Sequence, residues 1–123
     1  MINLIHYSPL YWFQRVVGYG ATRVVVPGNF PIGCFPIYLT LFQTNNPAAY
    51  DEFHCPKGLN NFSTYHNDQL KIALEDLRKE NPNIVRVYGD YYNAFQWVYR
   101  HTELLGESLS TSEVIIHYKA NLT

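Results

Sequence analysis

The chain has 123 residues, 47% of them hydrophobic and 15% charged, with 11 tyrosines and a formal net charge of −1. That is enough chain and apolar content for one small core, and it excludes a disordered polypeptide. The near-neutral balance excludes the basic field of a nucleic-acid binder and the polybasic face of a membrane-surface protein, and no apolar run is long enough to span a bilayer.

The first stretch, MINLIHYSPLYWFQR, is aromatic, has no cation before Arg15 and is interrupted by Pro9. It does not read as a signal peptide. Gly20-Ala21-Thr22 then precedes Arg23, Val24, Val25 and Val26, a short β-branched run that predicts a strand buried on both faces. Pro27 cannot donate to a ladder and ends it, and Gly28-Asn29 suits a turn with positive φ. Residues 30–58 show no period and are punctuated by Pro31, Pro36, Pro47 and Pro56, so a long structured loop is expected.

From Leu59 the spacing changes. Leu59, Phe62, His66, Leu70, Ala73, Leu74 and Leu77 recur in steps of three and four, which predicts an amphipathic helix over 59–80, with Glu75 and Lys79 paired outside and Asn81-Pro82 as its stop. Ile84 to Tyr88 reads as a second strand. Asp90 is a suitable cap for a further helix over 91–105, with Tyr92, Phe95, Val98 and Tyr99 on one face and Gly106 as its stop. The tail carries one β-prone piece, VIIHY. Strand, helix, strand in this order predicts an α/β fold with a parallel pair, whose ligand-binding rim lies beyond the carboxyl ends of the strands. Pro27-Gly28-Asn29 and Gly89-Asp90-Tyr91 both fall there. Asn29, Phe30 and Tyr91 are therefore the residues placed to touch a substrate.

Cys34 and Cys55 are the only cysteines, and as residues they leave three readings open: a disulfide, two buried thiols or part of a metal site. A site built from Cys34, His54, Cys55 and His66 lacks the usual C-x2-C or H-x3-5-H spacing, so no metal is expected. Two N-x-S/T sequons occur, at Asn61 and Asn121, relevant to a secreted chain.

Three stretches together, GATRVVVPGNFPIGCFPIYLT at 20–40, YHNDQL at 65–70 and VYGDYYNAFQWVYRH at 87–101, resemble the plant GDSL esterase/lipase family, a branch of the SGNH hydrolases, and within it the acetylajmalan and sinapine esterase subgroup. The resemblance spans about Gly20 to Gly106, which sets off residues 1–19 and 107–123 as divergent ends and suggests a truncated or partial coding sequence. It implies a partial SGNH-hydrolase fold, a small ester as substrate and no cofactor. It also implies hydrolysis by a serine nucleophile with a His base and an orienting Asp, and a usually secreted protein. Cys34 lies in the family-like PIGC stretch, which favours a Cys34–Cys55 disulfide.

The family's GDS, GxND and carboxyl-terminal DxxH motifs are not found in their family positions, so no catalytic residue is assigned in this chain. Gly89-Asp90-Tyr91 has a phenol where GDS needs a hydroxyl nucleophile. Asp51-Glu52-Phe53-His54 matches DxxH by letters but lies in the loop before Cys55. Gly58-Leu59-Asn60-Asn61 is read as the start of a helix, with Asn as its cap. By itself the chain is expected to be inactive. The alternative is a non-catalytic module that associates with a full-length relative through its exposed sheet edges.

Overall fold

A computed structural model describes residues 11–101. The chain divides into two compact units: residues up to Asn29 with Tyr65–Tyr91, and Phe30–Thr64 with residues from Tyr92 onward.

Among the described residues, the first unit opens with α1, helical over 11–18. Its end is a Schellman motif: Gly20 takes φ +92°, its N–H donates to the Val17 carbonyl, and the Ala21 N–H reaches back to that of Val16. Only glycine adopts this left-handed conformation without a Cβ penalty. The chain then enters β1 (Arg23–Pro27), which pairs in parallel with β2 (Val85–Gly89), Arg23 opposite Val85 and Pro27 opposite Gly89. A parallel pair needs a crossover, and α3 (Lys57–Glu80) lies between the two strands in sequence. The α/β reading is therefore borne out.

One face of this sheet is covered. Phe13, Leu70, Leu74 and Leu77 are buried together, with Val17, Val24, Val26, Ile84 and Tyr88 packed against them. The other face is not, and this corrects the expectation of a strand buried on both sides. Val25 is 62% exposed, Val85 56% and Val87 52%. An all-apolar strand reports the environment it suits, and this face has no cover among the described residues. On the outer side of α3, the direct ion pairs are Lys79 with Asp76 and Arg78 with Glu75, both at i,i+3, and Glu75 attracts Lys79 only without direct contact.

The second unit corrects the long-loop reading. Residues 30–56 contain a 3-10 turn (Ile32–Cys34), the helix α2 (Pro36–Leu41) and a second 3-10 turn (Pro47–Ala49). Proline stands at the start of two of these, where its fixed φ suits a first helical residue and its missing N–H costs nothing. Elements this short show no period. An isolated antiparallel bridge joins Tyr50 to Pro56, directly before α3. The unit also contains α4, which with its first residue spans Tyr91–Arg100. Phe95 and Tyr99 of α4 meet the rings of Phe30, Phe35 and Phe53 at centroid separations of 5.8 to 6.1 Å. Val98, expected on the inner face, is exposed, and Gln96 is half-buried instead. The helical extension to residue 105 and the VIIHY piece lie outside the described residues.

Candidate functional site

The inner stripe of α3 carries the side chains that hold two turns, the one after β1 in the first unit and the PIGC turn in the second. Counting back from Leu77, Leu74 and Leu70 in steps of three and four reaches Asn67, Ser63 and Asn60, and all six are buried. The apolar positions read from the sequence, Leu59, Phe62 and His66, sit one residue out of this register. Phe62 is 51% exposed, and Leu59 and His66 are half-buried. Asn60 is thus no cap. The helix has already begun at Lys57.

In the first unit, Asn67 clamps the turn after β1. Its carboxamide oxygen accepts the Asn29 N–H at 2.6 Å, and its nitrogen donates to the Asn29 carbonyl at 3.0 Å. One side chain thereby satisfies both backbone groups of a residue that has left the ladder, where buried unpaired groups are costly. Gly28 explains the rest of the turn. Its N–H donates to the Gly89 carbonyl at 2.9 Å, extending the parallel pairing past the strands. A Cβ there would collide with the Tyr88 hydroxyl and lie 2.9 Å from the Asn67 carboxamide oxygen. Among the described residues, positive φ occurs at Gly20 and His54 and not at Gly28 or Asn29. Glycine is therefore needed at 28 for close approach, not for the handedness read from the sequence.

Tyr88 turns inward at the end of β2 and its hydroxyl is buried without a hydrogen-bond partner. Burial, reinforced by the charges of Asp90 and Asp68, raises its phenol above the ordinary range and keeps it neutral. Tyr91 follows at the start of α4, 43% exposed, with its ring against Gly89. Asn29 and Tyr91 thus stand at the carboxyl ends of two adjacent strands.

In the second unit, Asn60 does for the PIGC turn what Asn67 does for PGN. Its carboxamide oxygen accepts the Gly33 N–H at 2.9 Å, and its nitrogen donates to Asp51 Oδ2 at 2.9 Å. The other Asp51 oxygen accepts the N–H groups of Phe53 and Cys55, each at 2.9 Å. Cys34 and Cys55 are joined by a disulfide, and both are buried. Gly33 is again a close-approach glycine: a Cβ would come within 2.6 Å of the Pro56 carbonyl. Phe30, the third strand-end candidate, lies in this unit, with its ring against Phe35 and Phe95.

These bonds decide the other candidates. Asp51 spends its carboxylate on two backbone amides and a carboxamide, while His54 is exposed with φ 58°, so Asp51 serves as a loop anchor. Cys34, Asp51 and Cys55 converge within 4.8 Å, but the two sulfurs are bonded to each other and offer no thiolate to a metal. Asn61 is exposed on the first turns of α3, and Asn121 lies outside the described residues. No helix among the described residues is long and apolar enough to cross a membrane.

Asn60 and Asn67 are the residues that sequence reasoning missed. Their signal was register: two asparagines seven apart, continuing the 70-74-77 stripe.

No family profile and no solved structure matches the chain. Curated relatives do match. A GDSL esterase/lipase of Arabidopsis thaliana is 55% identical over 87 residues, covering 71% of this chain and 27% of the relative. A second from the same plant is 41% identical over 93 residues, 75% of this chain and 24% of the relative. Acetylajmalan esterase 2 of Rauvolfia serpentina is 40% identical over 93 residues, 76% and 25% respectively. The chain spans about a quarter of the length of these relatives.

Proposed function

We propose that this chain, whose curated homologues are the plant GDSL esterase/lipases, is the middle portion of a hydrolase acting on carboxylic esters. The homology is the observation that carries this reading. In the complete enzyme a serine oxygen attacks the ester carbonyl, a histidine takes its proton, and hydrogen-bond donors stabilise the oxyanion. Those groups belong to sequence outside this chain. What this chain contributes is the strand-end rim of the first unit, where Asn29 and Tyr91 border a small ester, with Phe30 of the second unit a further candidate contact. Asn67 acts on that rim through Asn29 and is a positioning residue, because its carboxamide fixes the backbone from which the Asn29 side chain projects.

The test is a chimera in which residues 20–101 replace the matching region of the 55%-identical Arabidopsis relative, assayed with a p-nitrophenyl ester. Expected is retained turnover, with Asn29→Ala raising KM several-fold. A folded chimera that keeps its active-site serine reactive to a fluorophosphonate but binds no ester would defeat the assignment of the rim. The isolated chain is expected to show no turnover and no labelling. Turnover that survives replacement of every serine would overturn the serine-hydrolase reading itself.

A second reading rests on the uncovered sheet face formed by Val25, Val85 and Val87. There the chain is a non-catalytic module that associates with a full-length relative. Co-elution of the two as a defined complex is expected. Separate elution at micromolar concentrations dismisses it.

A further inference from the structure

The Asn61-Phe62-Ser63 sequon presents a conflict that the esterase reading does not use. Asn61 is exposed, whereas Ser63 has no exposed surface at all and its hydroxyl is buried without a hydrogen-bond partner. A buried hydroxyl lacking a partner works against the fold, and an alanine would fit the same space without that cost. The fold therefore gives no reason for a serine at 63. A glycan transferase does, because its acceptor needs a hydroxyl two residues after the asparagine. In α3 the two cannot be engaged together, since residues i and i+2 on a helix do not share a face.

We propose that Asn61 is an N-glycosylation site that is filled only while residues 57–64 are still unfolded, before α3 and the Cys34–Cys55 bond form. The bond-making is a plain group transfer. The asparagine nitrogen attacks the first sugar carbon of a lipid-diphosphate-linked oligosaccharide. An N–C bond forms, the carbon–oxygen bond to the diphosphate breaks with its electron pair, and the amide proton leaves. The Cys34–Cys55 disulfide belongs to the same oxidising compartment. It also sets the timing, because Cys55 is two residues upstream of Lys57, where α3 starts. Closing the bond anchors the segment that must remain extended for the transferase. Once α3 forms, the attached glycan sits on the exposed side at Asn61 while Ser63 is sealed inside.

The experiment is translation of the full chain behind a cleavable secretory signal into microsomes, with Asn121→Gln removing the other sequon. The expected result is a single-glycan mass shift reversed by peptide N-glycosidase and lost in both Asn61→Gln and Ser63→Ala. Holding the chain reduced with dithiothreitol, or introducing Cys34→Ser with Cys55→Ser, raises the glycosylated fraction. Oxidised, prefolded chain given the same transferase and donor stays unmodified. Two results overturn the proposal: no glycan at Asn61 even in the reduced chain, or prefolded chain modified as completely as nascent chain. Purified Ser63→Ala provides a separate readout, with a thermal midpoint at or above that of the unaltered chain. A clear fall in midpoint would mean that the hydroxyl serves the fold, and would remove the argument.

Discussion

The two units are held by different forces, and α3 contributes to both. In the unit containing the sheet, residues from Leu70 onward insert aliphatic side chains beside Phe13, and the strength lies in apolar area removed from water. In the unit containing the PIGC turn, the same stripe of the helix carries Asn60 and Ser63. There one disulfide and a relay from Gly33 through Asn60 to Asp51 act beside the ring cluster of Phe30, Phe35, Phe53, Phe95 and Tyr99. The apolar unit is expected to be sensitive to loss of buried volume. In the second unit, loss of a buried donor or acceptor is expected to cost as well as loss of volume. A helix that changes from carboxamides to leucines along one stripe can support a turn rich in unpaired backbone groups at one end and a core at the other.

Substitutions that separate these two modes test the comparison. Leu77→Ala, at a site 1% exposed, is expected to destabilise the chain by about 2–5 kcal/mol, the range for emptying a buried leucine site. Phe62→Ala, on the half-exposed side of the same helix, is expected to change stability far less, and thermal melts of the two variants decide it. Equal losses would mean that the stripe is misassigned.

Removing the disulfide with Cys34→Ser and Cys55→Ser is expected to cost about 3 kcal/mol, for a link across 21 residues of separation. The effect should be uneven. Amide exchange is expected to accelerate at Gly33, Phe53 and the substituted position 55, with smaller changes along β1 and β2. Uniform acceleration would show that the units do not open independently.

Asn60→Asp removes the donor to Asp51 and places two carboxyl groups where there was a hydrogen bond. Like charges at this spacing disfavour joint ionisation. The folded variant therefore holds a proton more tightly than the unfolded one. The sign follows: the stability deficit is largest at neutral pH and shrinks as the pH falls through the carboxylate range. A deficit independent of pH between 7 and 4 would count against the contact. The smallest change is expected from Arg100→Gln. It removes a 2.8 Å pair with Glu52 in which both side chains are more than half exposed, so under about 1 kcal/mol is expected. A double-mutant cycle measures it.

Much of the outline was legible in the chain. The β-branched runs at Val24–Val26 and Ile84–Tyr88 and the three-four spacing from Leu70 to Leu77 each express a period that backbone geometry imposes. Strand, helix, strand then leaves little choice but a parallel pair. The short helix at Pro36 escaped because six residues make less than two turns, and its proline reads as a stop when it is a start.

The two clamps escaped for a different reason. Hydrophobicity pointed to Leu59, Phe62 and His66, while the positions facing inward were Asn60, Ser63 and Asn67. A pattern of apolar residues locates a core face only where the core is apolar. Local sequence was enough for the elements and their order, since those follow from propensity and spacing within a few turns of chain. The tertiary structure decided that Asn67 meets Asn29 and Asn60 meets Gly33, partners 38 and 27 residues apart. It also decided that Gly28 and Gly33 are small because another element occupies the space a Cβ would need. Those choices depend on which backbone groups remain unpaired after folding, and no local pattern records that.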